Sequence, residues 1–343
     1  MGFKCGIIGL PNVGKSTLFN ALTKSHIPAK NFMFCTIKPN IGLAPVYDYR
    51  IKTLEKIISP DRTVNTFIEF VDVAGLVQGA SKGAGLGNQF LYDIKQTDAI
   101  LHVVRCFMDD NIVHINNKIN PIGDIEIINI ELILSDFESC NKILSNIRNK
   151  KGKKSINYNK KISVLEKCLN CLKNTKLLTT LHLDDKDLEL IHDINFITLK
   201  PIMYIANVSE DKNQNVHLKK ILQFALKENI PIVPICILNK NNESQLNLII
   251  EIGYRLLKLK TFFTVGKQEV RAWTIKENTT SLEASKKIHT DFQKGFIRAQ
   301  IISYEDFIKY KKESKVREVG KMRFEGKKYI IKDGDIIHFL FNV

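Results

Sequence analysis

The sequence predicts an α/β protein: a doubly wound domain, a helical arm inserted into it and a smaller C-terminal α+β module. Three observations predict this. A short apolar strand runs through a glycine-rich turn into a helix at the N-terminus, and further apolar strands then alternate with helical segments, the pattern of a parallel sheet. From 126 to 199 that alternation stops, and the chain becomes helical in period and strongly basic. From 261 onward short strands with turn signals surround one helix. The expected domains are therefore 1–125 with 200–260, an inserted arm at 126–199 and a C-terminal module at 261–343.

Taken in order, "KCGIIGL" is the first buried strand and "STLFNALTK" the helix behind it. "NTFIEFVDVAG", "AILHVVRCF", "PIMYIANV" and "PIVPIC" are the later strands of the same sheet. "IINIELILSDFESCNKILSNI" opens the arm as a helix, and helical period returns after the basic stretch around 148–161. In the last module "TFFTVG", "VRAWTI", "IRAQII", "KYIIKDGD" and "IIHFLFNV" read as strands and "LEASKKIHTDF" as the helix. No repeat is evident.

"GLPNVGKST" at 9–17 has the spacing Gly-x4-Gly-Lys-Ser, with a strand before it and a helix after it. Gly9 and Gly14 allow backbone amides to close around phosphate oxygens. Asn12, Val13, Gly14, Lys15, Ser16 and Thr17 are the expected phosphate-binding run. Lys15 would reach the β- and γ-phosphates, and the Ser16 hydroxyl would ligate Mg²⁺. "DVAG" at 72–75 ends an apolar strand, so Asp72 is the second Mg²⁺-side group and the Gly75 amide can face the γ-phosphate. Thr36 is spaced as the threonine that caps Mg²⁺. The glycines at 79, 83, 85 and 87 follow this motif and do not open the first βα unit, so they read as a switch segment, not a dinucleotide fingerprint.

The base-recognition segment is altered. Where guanine-binding proteins carry Asn-Lys-x-Asp, this chain reads Asn207, Val208, Ser209 and Glu210, with Cys236 on a later strand as the other base-side position. Asn207 can serve either purine, whereas Val208 removes the Lys stem and Glu210 sets its carboxylate back by one methylene. After Asp-x-x-Gly stands Leu76, which cannot orient an attacking water.

The chain is 343 residues long, 44% hydrophobic and 25% charged, as in a folded protein of two or three domains. No apolar run approaches the roughly 18–20 residues that span a bilayer, and no secretory leader is read at the N-terminus, so the expectation is cytoplasmic with no membrane. Seven cysteines without framework spacing suit reduced thiols. "CLNC" at 168–171 continues a helical apolar series and is expected to pack in a core; the alternative is half of a metal site. The net charge is +15, concentrated in two places. Eleven Lys and Arg between 142 and 176 face one acid, Glu166, and 261–343 holds 17 basic against 11 acidic residues. Both segments therefore suit a nucleic-acid partner.

These motifs together resemble the YchF-type, Obg-like ATPases, a family within the translation-factor class of P-loop GTPases. The resemblance is carried by "GLPNVGKST", "FCTIKPNIG", "DVAGLVQGASKGAGLGNQFL", "NVSE", "FFTVGKQEVRAWTI", "IHTDFQKGFIRA" and "DGDIIHFLFNV". It implies a coiled-coil arm, a C-terminal TGS domain of β-grasp fold, and a ribosome-associated switch that hydrolyses ATP in preference to GTP. The basic arm and the TGS domain are the expected contacts with the ribosome or ribosomal RNA; the alternative for the arm is a solvated helix face. His114 matches the family's histidine after the switch and would position water; the alternative is a surface-loop histidine. Asn12 matches an asparagine that helps hold K⁺ in related enzymes. Cys35, beside Thr36 and the phosphate site, is the candidate redox-responsive thiol, against a packed, inert one. A monomer is expected. Departures are Met33 for a Pro, Ile237 and Leu238 after the last sheet strand, and a shortened helical stretch beyond it. Two other functions stay open from sequence: an Obg-type GTPase, and a non-catalytic RNA-binding protein with an idle nucleotide site.

Overall fold

A computed structural model describes residues 3–24, 40–73, 86–109, 119–149, 156–239 and 241–342. Strand β1 (Phe3–Ile8) passes through the glycine loop into helix α1 (Lys15–Lys24). Then come β2 (Ile41–Pro45), α2 (Tyr49–Ile58), β3 (Arg62–Val64) and β4 (Phe67–Asp72). Helix α3 (Leu86–Lys95) and β5 (Ala99–Arg105) precede the long helices α4 (Pro121–Asn149) and α5 (Ile156–Lys173). The chain returns through α6 (Asp185–Ile191), β6 (Ile202–Asn207), α7 (Leu218–Lys227), β7 (Ile232–Ile235) and α8 (Glu243–Leu256). The C-terminal elements are β8 (Leu259–Val265), β9 (Glu269–Lys276), α9 (Ser281–Ile288), α10 (Thr290–Lys294) and β10 (Phe296–Ile302). They end with α11 (Tyr304–Tyr310), α12 (Glu313–Glu318), β11 (Arg323–Glu325) and β12 (Ile336–Phe341).

Two compact units result: Phe3–Ala44 with Glu69–Ile249, and Pro45–Ile68 with Ile250–Val343. In the first, the sheet order is β2-β4-β1-β5-β6-β7, and β1, β5, β6 and β7 run parallel. β5 and β6 are buried along their whole length, as central strands covered on both faces must be. The chain goes from β1 to β4 on one side and then to β5 on the other. That reversal leaves a crevice at the carboxyl ends of β1 and β5.

The arm begins at Pro121, whose missing N–H costs nothing in a first helical turn, and α4 continues unbroken for 29 residues. α4 and α5 close on a dry cluster that includes Cys140, Leu144, Val164, Leu165 and Cys168. Cys168 and Cys171 are both buried in that cluster, the core placement expected for "CLNC". Burial pushes the Cys168 thiol up to about 11, leaving it protonated and inert. The arm is anchored by Asp136, fully buried on α4. It accepts from the Ile197 and Thr198 backbone N–H groups at 3.1 and 2.7 Å and from the Thr198 hydroxyl at 2.7 Å. Burial raises the Asp136 pKa, and these hydrogen bonds oppose the rise.

The charge of the arm is less one-sided than its sequence suggests. Arg148 pairs with Glu166 at 2.6 Å, Lys161 with Asp193 at 2.9 Å and Lys167 with Asp187 at 4.0 Å. The two aspartates come from beyond the basic stretch and fold back against α5.

The second unit is a mixed sheet, β11-β10-β12-β8-β9-β3, with a parallel β12–β8 pair at its centre. This is the β-grasp arrangement, an antiparallel β8–β9 hairpin followed by a helix. α9 starts at a capping box in which Thr280 and Glu283 satisfy each other's backbone N–H groups. Phe262 packs on one face of the sheet with Ala284 and Phe339, and Phe263 on the other with Leu54 and Phe307. The segment 45–68 belongs here. β3 pairs with β9, and Arg50 bonds Asp48 and, at 2.6 Å, Asp333.

Two local expectations fail. "KYIIKDGD" is not a strand: only Ile330 makes a bridge, to Thr280, and the rest turns back. Lys332 N–H and the Tyr329 hydroxyl both donate to Asp335, which holds the turn closed. "LEASKKIHTDF" is two helices, because His289 is extended and caps α10.

Candidate functional site

The site stands at the crevice, on the loop that joins β1 to α1. Gly9 has φ +149, and a Cβ there would lie 2.5 Å from the Val103 carbonyl oxygen on β5. Gly14 has φ +103, and its Cβ would meet the Asn207 side-chain nitrogen at 2.6 Å. Both positions thus require glycine. Asn12, exposed on the loop, adopts φ 64, a conformation that Asn tolerates better than other side chains. Val13 is buried beneath it.

Lys15 opens α1 and is 8% exposed. Its Nζ donates to the Leu10 carbonyl at 2.8 Å. Burial pushes its pKa down to about 8, against the pull of Asp72. A buried ammonium at the start of a helix behind a glycine-rich loop is a seat for an anion. Ser16 and Thr17 are exposed in the first turn of α1, where the helix dipole also favours negative charge. Asp72 is half-buried at the end of β4, its N–H bonded to the Asn40 carbonyl at 2.9 Å.

Asn207 ends β6. Its Nδ2 donates to the Val13 carbonyl at 2.9 Å, so the residue expected to read the base also braces the phosphate loop. One amide N–H and the carbonyl oxygen are left for a base edge. Beyond it the chain bonds to itself. Ser209 and Asn215 exchange hydrogen bonds of 2.8 and 2.9 Å, and Asp211 caps the next turn. Glu210 is exposed on this loop and Val208 half-exposed, its N–H tied to the Ile235 carbonyl at 3.0 Å.

Three residues at the site escaped the sequence reading: Asn242, His102 and Arg105. Asn242 donates to both the Cys236 and Ile237 carbonyls at 3.1 Å, shaping the far wall; its only signal is an Asn just before a helix. Ile237 is buried, and its side chain approaches the Gly14 position to 3.3 Å, whereas Leu238 is 80% exposed. His102 on β5 is fully buried, edge-on to Tyr204 at 5.7 Å, with no hydrogen-bond partner at Nε2 among the described residues. Burial and the Lys15 charge push its pKa down to about 3, so it stays neutral. At the end of the same strand Arg105 donates to the Phe107 and Asp109 carbonyls at 3.2 and 2.7 Å. Cys35, Thr36, Gly75, Leu76, His114 and Lys150, Lys151, Lys153 and Lys154 lie outside the described residues.

Among the described residues no three His, Cys, Asp or Glu side chains gather as a metal cage. Mg²⁺ does not need one: it keeps waters and takes one or two protein oxygens plus phosphate oxygens. The exposed Ser16 hydroxyl and the Asp72 carboxylate near Lys15 fit that requirement. Among the described residues no helix is long and apolar enough to cross a membrane.

Comparison with known proteins agrees with this geometry. Residues 4–136 match a family described as a 50S ribosome-binding GTPase. Residues 259–342 match the C-terminal domain of YchF GTPases, described as a protein of unknown function. The ribosome-binding ATPase YchF of Buchnera aphidicola subsp. Acyrthosiphon pisum (strain APS) is 56% identical over 362 aligned positions, covering 100% of both chains. The same-named protein of Escherichia coli O157:H7 is 52% identical over 363, again covering 100% of both. A solved structure of the Schizosaccharomyces pombe YchF GTPase superposes with a TM-score of 0.87 at 34% identity, covering 99% of this chain and 98% of that one. With full-length identity at this level and the same fold throughout, the chain belongs to the YchF family.

Proposed function

We propose that this chain is a ribosome-associated switch that hydrolyses ATP, in preference to GTP, to ADP and phosphate. The observation that carries the reading is Lys15: a buried ammonium at the topological switch point, beneath a loop that Asn207 braces and only glycine can form. The names borne by relatives divide on the base, ATPase in the bacterial proteins and GTPase in the yeast structure. The side chains favour ATP, because Val208 and Glu210 lack the charged bidentate grip that guanine's N1–H and 2-amino group invite.

In this reading Lys15 and the loop amides hold the β- and γ-phosphates. Ser16, Asp72 and Thr36 would hold Mg²⁺, which would supply charge neutralisation on those oxygens when bound. Asn12 supplies an amide oxygen for K⁺, and His114 orients the water that Leu76 cannot. Single-turnover hydrolysis with and without ribosomes and K⁺ tests this. Lys15→Ala is expected to abolish turnover, and His114→Ala to lower it by on the order of 10²-fold with nucleotide affinity retained. Normal turnover in His114→Ala would return that residue to a surface role. Absent hydrolysis in the wild type under every condition would leave the site idle.

A further inference from the structure

We infer that the C-terminal unit carries a base-stacking site for single-stranded RNA on the open part of its sheet, centred on Phe324 and Arg298. Gln300 on β10 lies directly between Phe324 on β11 and His338 on β12, so these three side chains share one face. Ile302 and Ile336, one pair further along the same face, are buried under the helices that carry Phe307 and Val316. Gln300 is still buried among its neighbours, and the exposure begins at the residues around it. Phe324 is left 48% exposed, with Arg298 and His338 exposed beside it. The Arg298 guanidinium sits 4.6 Å from the centre of the Phe324 ring.

An exposed aromatic beside a planar cation on a sheet face is an arrangement on which unpaired bases stack, since every base presents a π face. Charge names the same partner. Residues 309–332, which lead into and out of β11, hold ten Lys and Arg against three Glu. Two of those lysines, Lys327 and Lys328, are exposed in the turn directly after β11. A phosphate backbone would track this rim while a base occupies the ring. Duplex RNA, whose bases are already stacked, would gain only the rim.

The proposal rests on the ribosome-associated reading above and adds where and how RNA is held. The test is fluorescence anisotropy of the full chain with a labelled ten-nucleotide oligouridine, against a duplex of equal length, with ATP turnover measured in parallel. Phe324→Leu keeps apolar bulk but loses the π face; it is expected to weaken single-strand binding roughly 5- to 150-fold with an unchanged salt slope. Phe324→Trp restores wild-type affinity, which a merely structural role would not. Lys327→Glu with Lys328→Glu flattens the salt slope. ATP turnover without ribosomes stays unchanged in all of them. Wild-type affinity in Phe324→Leu, or equal binding of duplex and single strand by the unaltered chain, overturns the proposal. So does a loss of ribosome binding in Phe324→Leu without a loss of oligouridine binding, which would make the patch a protein-docking surface. Failure of ATP hydrolysis with these RNA results intact would sink the switch reading alone.

Discussion

The buried Lys15 makes a quantitative prediction about pH. With its pKa at about 8 in the nucleotide-free protein, Lys15 is half neutral at that pH. A triphosphate seated on the ammonium favours the charged form and carries the pKa back up, so binding takes up a proton. From a pKa of about 8, the uptake per nucleotide is about 0.1 at pH 7, about 0.5 at pH 8 and about 0.9 at pH 9. The sign follows from the charged form being the one that binds: affinity is flat below pH 7 and falls as pH rises through 8, reaching about tenfold weaker at pH 9. Isothermal calorimetry in buffers of different ionisation enthalpy measures the uptake directly. Lys15→Arg, whose charge does not titrate in this range, removes the uptake if it still binds. A wild-type uptake below about 0.1 at pH 8 would mean that Lys15 is fully charged in the free protein and that its burial is not felt.

Further expectations concern the loop and the arm. Gly14→Ala forces a side chain into a left-handed conformation and against the Asn207 amide, costing about 1–3 kcal/mol in strain and about 1 kcal/mol in the lost hydrogen bond. Denaturant unfolding reads that loss, and ATP affinity falls with it; normal binding would show that Asn207 does not brace the loop. Reversing charge at Lys150, Lys151, Lys153 and Lys154 weakens ribosome binding and flattens its log–log salt slope by about 3. An unchanged slope would take the arm out of the interface.

The parts of the fold that were legible in sequence are those with local signals. The strand–loop–helix of Gly9 to Thr17 is encoded in nine consecutive residues, and Asp72 sits where an apolar run stops. The helical arm announces itself by period. What was illegible depends on distant partners. β3 is three residues long and is a strand only because β9, more than 200 positions later, pairs with it. Its placement draws α2 into the second unit, where Ile51 and Leu54 find the core they need. "KYIIKDGD" has the apolar content of a strand, but Asp335 collects the donors of Lys332 and Tyr329 and closes it into a turn. The arm's apparent excess of charge is partly offset by Asp187 and Asp193, which only folding brings near. At the site, His102 reads as one more strand residue, and nothing local marks it as lying close enough to Lys15 to feel its charge.

Alignments with the relatives run to 362 and 363 positions against the 343 residues here, so this chain is gapped against them. In this chain α8 follows β7 after a loop of seven residues, and Asn242 closes that loop over Cys236 and Ile237. In the proposed reading the base would meet this wall of backbone, with Glu210 exposed on the loop after β6. The function proposed for this chain turns on whether that pocket prefers adenine. Loss of one charge-assisted contact to guanine is worth about 1.5–3 kcal/mol, roughly 10- to 150-fold. Equilibrium affinities for ATP and GTP, measured side by side on the unaltered chain, test this most directly. The prediction is that ATP binds more tightly by a modest factor, and that Val208→Lys with Glu210→Asp moves the preference toward GTP. GTP binding about tenfold tighter than ATP in the unaltered chain, a difference of about 1.4 kcal/mol, would contradict it.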